Sequence, residues 1–125
     1  MKKDNKGFSL VELIIVIAIM AVLIGLLAPQ YLKFVKKSKV SADVSNGQSL
    51  ATAFNVAFAD STVSNGTYSG TSATTMTSGV NAQWPETKLV TGGTWKVIVN
   101  DNGVSEVQIN NAKVWPTVSG SWASN

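Results

Sequence analysis

The sequence predicts an α+β fold, with one long N-terminal helix packed on a small antiparallel β-sheet of three to four strands. Three observations predict it. Leu13 to Ala28 carry no polar side chain. Apolar residues then recur every three or four positions from Val40 to Phe58, the spacing of one helical face. Short apolar-patterned runs separated by Gly- and Asn-containing turns fill the last third of the chain.

A chain of 125 residues is sized for one domain. Its hydrophobic content is 45%, but much of this lies in the first helix, so the remainder can bury only a modest core. Cys and His are both absent. That excludes a disulfide scaffold, thiolate chemistry, a His general base and the usual zinc sites. No phosphate-binding Gly motif follows a strand, and the residues imply no cofactor.

The N-terminus begins with Lys2, Lys3 and Lys6, then Gly7. Phe8-Ser9-Leu10-Val11-Glu12 follows, and Glu12 is the only charged residue between Phe8 and Ala28. As a helix, that stretch is about 31 Å long, enough to cross a hydrocarbon core. Glu12 is the odd residue, because an ionisable group one turn inside an apolar helix is costly. Either it faces water at the headgroups or it becomes a buried acceptor that meets a cation.

Gly7-Phe8-Ser9-Leu10-Val11-Glu12, with lysines before it and the apolar run after it, resembles the leader and N-terminal helix of type IV pilins and the related pseudopilins. The resemblance covers about residues 2–37. It implies that a prepilin peptidase reads Lys6, Gly7 and Phe8, cuts after Gly7 and methylates the new amine of Phe8. The cut removes three lysines and one aspartate, so the net charge falls from +3 to +1. The basicity is therefore mostly leader and membrane-proximal lysine, and no specific nucleic acid is expected as a partner.

The resemblance further implies that Glu12, the fifth mature residue, meets the N-terminal amine of a neighbouring subunit. Pro29 matches the family's helix proline. The implied partners are other copies in a helical fibre, the prepilin peptidase, an inner-membrane assembly platform, and the lipid bilayer before assembly. The implied location is a single-pass membrane precursor, then an extracellular pilus. The chain reads as a substrate of an enzyme and not as an enzyme.

The expected divisions are a leader at 1–7, a transmembrane and assembly helix at 8–29, and an amphipathic helix half at 30–59. A Ser/Thr/Gly-rich loop at 60–86, a sheet at 87–118 and a tail at 119–125 follow. Pro29, one turn after Gly25, removes a helical hydrogen bond. Two readings of that turn stand: a mild kink, and local unwinding when subunits pack. Helix is expected from about Ser9 to Ala59. Lys33, Lys36, Lys37 and Lys39 form a collar where it leaves the lipid, either solvated or reaching anionic headgroups. Val40, Val44, Gly47, Ala51, Phe54 and Phe58 form its apolar stripe, with Asp43, Asn46, Ser49 and Asn55 on other faces.

Asp60 to Gly79 is polar and without a basic residue, so a surface loop is expected, with a short strand or turn around Thr67-Tyr68. Asn65-Gly66-Thr67 is a glycosylation sequon. Strands are expected at Thr87–Thr91, Thr94–Asn100, Val104–Asn110 and Ala112–Pro116. Asp101-Asn102-Gly103 is a hairpin signal. With Glu106 nearby it also hints at calcium, but the full calcium-loop spacing is missing, so no metal is expected. Pro116 suits the end of an edge strand. Thr117–Asn125 reads as a loose tail.

Two other function classes share parts of this pattern. A pseudopilin of a secretion or DNA-uptake machine has the same N-terminal motif. A secreted soluble binding module would use residues 1–28 as an ordinary signal, although Leu26-Leu27-Ala28 before Pro29 is a poor cleavage site.

Overall fold

The computed structural model describes Gly7, residues 9–76, residues 79–80 and residues 82–123. Two compact units divide between Val35 and Lys36. Helix α1 (Leu10–Ala59) contributes its first part to one unit and the rest to the other.

The first unit is helical from Leu10 onward. From Leu10 to Leu27 its large apolar side chains are about half exposed or more. It contains a window long and apolar enough to cross a membrane, by length and composition. Pro29 lies inside α1 without ending it. The missing proline N–H leaves the Gly25 carbonyl without its helical donor.

In the second unit, α1 lies on a four-stranded antiparallel sheet of order β1-β2-β3-β4. The strands are β1 (Gly66–Gly70), β2 (Trp95–Asn100), β3 (Gly103–Ile109) and β4 (Ala112–Trp115). Trp95, Val97 and Val99 alternate inward from β2 and are buried, as the period of two requires. Val107 and Ile109 of β3 and Val114 of β4 complete that face.

The helix covers it with Val40, Gly47, Leu50, Ala51, Phe54 and Ala57. Gly47 permits the close approach, because a Cβ there would meet Val114 Cγ2 at 3.0 Å. Phe54 packs between the rings of Tyr68 and Trp84, at centroid distances of 5.3 and 5.9 Å. Burial of side chains as large as Phe54 and Trp95 contributes about 1.5–3 kcal/mol each.

The turns follow their residues. The β2–β3 turn places its positive φ of 106° on Gly103. Asn110 and Asn111 make the β3–β4 turn at φ 49° and 69°, a conformation asparagine tolerates. Edge strand β4 ends one residue before Pro116.

Three expectations are corrected. Thr87–Thr91 is not a strand, and the fourth strand comes from Gly66–Gly70. Side chains take the backbone donors a strand there would use: Asp43 accepts from the N–H groups of Lys88 and Leu89 at 2.7 and 3.0 Å. Thr87 Oγ1 accepts from Gly93 N–H at 2.9 Å and donates to the Val90 carbonyl. Asp43 itself does not face outward but is fully buried in the helix stripe. The described C-terminal residues are not loose. A one-turn 3-10 helix at Gly120–Trp122 seats Trp122 in the core at 3% exposure.

Candidate assembly segment

The start of α1 is built by Ser9. Its carbonyl accepts the Leu13 N–H at 3.1 Å, and its Oγ accepts the Glu12 N–H at 3.2 Å. Ser9 is thus the N-cap, and Glu12 sits at the third helical position. Ser-x-x-Glu before an apolar run is the signature of a capping box, of which the serine half is made here. A carboxylate in the first turn is also favoured by the helix dipole. The Ser-x-x-Glu spacing is the sequence signal for this local role of Ser9.

Gly7 is exposed, and among the described residues no heavy atom lies within 4 Å of the position a Cβ would take. Glu12 is exposed on the helix surface. Lys6 and Phe8 lie outside the described residues. Pro29 is about 25 Å farther along the axis than Glu12, so these two candidate assembly residues are not brought together within the chain. Ser9 and Glu12 are.

The second unit holds a polar cluster that sequence reasoning missed. Besides Lys88 and Leu89, Asp43 accepts from the indole N–H of Trp122 at 2.8 Å. The signal was present: Val40, Asp43, Gly47, Leu50, Phe54 and Ala57 share one helical face, so Asp43 interrupts an apolar stripe. The carboxylates that hinted at calcium have protein partners. Asp101 accepts from the Asn65 side-chain amide, and Glu106 pairs with Lys113 at 3.2 Å.

The family model for the prokaryotic N-terminal methylation motif matches residues 2–28. A fimbrial protein of Pseudomonas aeruginosa is 32% identical over 108 residues, which cover 86% of this chain and 67% of that protein. The chain belongs to the type IV fimbrial protein, or pilin, family. A second Pseudomonas aeruginosa fimbrial protein is 32% identical over 111 residues, covering 89% of this chain and 63% of the relative. The type IV major fimbrial protein FimA of Dichelobacter nodosus is 38% identical over 60 residues, 48% of this chain and 38% of that protein.

This pilin-family chain therefore spans between about two fifths and two thirds of the length of these curated relatives. No solved structure gives a significant match. The matched motif takes in Lys6, Gly7, Phe8 and Glu12 and ends one residue before Pro29. The α+β architecture, with a long helix on an antiparallel sheet, is that of the pilin fold.

Proposed function

We propose that this chain is a structural subunit of a type IV pilus-like fibre, assembled from a membrane pool after leader cleavage and N-methylation. One observation carries the reading: the apolar side chains from Leu10 to Leu27 are uncovered. An exposed apolar surface of that extent calls for lipid or for other helices. Before assembly the helix crosses the bilayer once, with the second unit outside. In the fibre the same surface packs against the helices of other copies.

Lys6, Gly7 and Phe8 form the processing site. Among the described residues none crowds Gly7, which suits a peptidase that must approach the backbone there. Cleavage frees the Phe8 amine, one residue before the Ser9 cap. In the fibre core Glu12 accepts the amine of a neighbouring copy. A lone charge in that environment costs several kcal/mol, so the pairing sets axial register as well as affinity. Pro29 leaves the Gly25 carbonyl free, which suits a turn that opens as helices pack.

Attachment to surfaces and twitching motility are the outputs this fibre serves. The relatives' names, fimbrial and major fimbrial, favour a surface fibre over a short secretion or uptake structure. Burial of Trp84, Trp95 and Trp122 weighs against a secreted module that binds through its tryptophans. The test is electron microscopy of cells with antibody to the chain. Long labelled surface fibres are expected. Processed chain held entirely in the cell envelope, with no surface fibres, would overturn the pilus reading in favour of the pseudopilin.

A further inference from the structure

The second unit carries charge of opposite sign at its two ends, without ion pairs among the described residues. Asp60 stands just beyond the last turn of α1, where the helix dipole leaves partial negative charge. That turn contains no basic residue. Asp101, in the β2–β3 turn, lies at the same end. With Phe58 and Ala59 it lines an open groove of about 700 Å³. Both aspartates are exposed.

Lys36, Lys37 and Lys39 are exposed at the opposite end of the helical segment, about 32 Å along the axis from Lys39 to Asp60. Glu86 and Lys88 are both exposed in the loop held by Asp43. Among the described residues the ion pair is Lys113–Glu106, on the sheet. Asp101 accepts from the neutral Asn65 amide, and neither end has an ion pair among the described residues.

We propose that these two ends are the two halves of one interface between copies of this chain: the Lys36–Lys39 end of one copy seats on the Asp60–Asp101 end of another. The inference rests on the fibre reading above and names the contact between its outer units. A fibre built from parallel helices repeats head to tail, which requires two different complementary patches and not one self-complementary patch. The groove beside Phe58 gives a lysine stem an apolar wall while its ammonium reaches Asp101 or Asp60. An anionic membrane would use the lysines and leave both aspartates without a cation. A second copy uses both ends.

Single exposed ion pairs are weak, so the informative change is reversal, which places like charges together. In cells that assemble the wild-type chain, Asp60→Lys with Asp101→Lys is expected to lower the yield of sheared fibres about tenfold. Lys36→Glu with Lys37→Glu and Lys39→Glu is expected to do the same. Combining both sets restores the yield. Unchanged fibres from either one-sided reversal, or no rescue from the combination, would overturn the proposal. A loss confined to the lysine set would point to anionic lipid and would also overturn it.

A cysteine pair gives a readout independent of these reversals, since the chain has no cysteine of its own. Asp60→Cys is combined in turn with Lys36→Cys, Lys37→Cys or Lys39→Cys. At least one pair is expected to give a disulfide ladder in oxidised fibres, and intact fibres without any ladder would contradict the contact. Wild-type cells without fibres would remove the fibre reading and this contact together. Wild-type fibres indifferent to these changes would remove the contact alone.

Discussion

The indole N–H of Trp122 donates to a carboxylate oxygen of Asp43 at 2.8 Å, joining residues 79 positions apart. The same carboxylate holds the backbone N–H groups of Lys88 and Leu89. In a chain without cysteine, one buried side chain thus ties the C-terminal turn and the 87–90 loop to α1. Charge-assisted hydrogen bonds of this kind are stronger than neutral ones.

Asp43→Ala leaves one buried and two part-buried donors without an acceptor and is expected to destabilise the second unit by about 2–5 kcal/mol. Trp122→Phe keeps most of the ring and removes only one donor, for an expected loss of about 1–3 kcal/mol. Unfolding of the full chain in detergent, followed by tryptophan fluorescence, checks both. All four tryptophans lie in the second unit, so the signal reads that unit alone. Unchanged midpoints would remove the tie from the account.

Gly70→Ala is expected to lower stability by about 1–3 kcal/mol. A Cβ at Gly70 would overlap the Trp84 indole and lie 2.6 Å from Thr74 Oγ1. Trp84 is buried against Phe54 and has little room to retreat. The same fluorescence unfolding measures the effect, and a variant as stable as wild type would contradict this packing.

Much of the fold was legible in the residues, and the gaps have physical reasons. The long helix read correctly because an apolar run and a stripe of period three to four are strong signals; α1 ends at Ala59 as expected. Strands β2 to β4 read correctly because Trp95, Val97, Val99, Val107 and Ile109 alternate and the Asn-containing turns separate them. Strand β1, Gly-Thr-Tyr-Ser-Gly, is short and polar, and only a strand or turn around Thr67-Tyr68 could be read. Thr87–Thr91 has strand-forming residues, yet Asp43, distant in sequence, takes the N–H groups of Lys88 and Leu89. Asp43 and Trp122 were missed for a shared reason. A carboxylate in an apolar stripe and an aromatic in a polar tail each look out of place until paired. At the assembly segment, Gly7, Glu12 and Pro29 stood out by residue type. The Ser9 cap needed only the Ser-x-x-Glu spacing.

Glu12→Ala is expected to leave membrane insertion intact, since it removes the one charge from an apolar helix. Fibre yield should fall sharply. Ser9→Ala loses only a cap, about 0.5–2 kcal/mol, and should have the smaller effect. Membrane fractionation and sheared-fibre yield, measured side by side, check the pair. Normal fibre yield from Glu12→Ala would sink its role in assembly.

Gly7→Val places a branched side chain at the proposed cleavage position. Processing should stop, and the variant should accumulate in the membrane at the mass of the uncut chain. A mature mass identical to that of the wild type would refute the assignment of Gly7.

The central claim is tested most directly by intact and N-terminal peptide mass spectrometry on wild-type protein sheared from the cell surface. The account predicts a chain that begins at Phe8, with a methyl group on its amine. A chain that begins near Pro29 would contradict it. The helix from Leu10 to Ala28 would then be a discarded signal, and Glu12 would have no part in the mature protein.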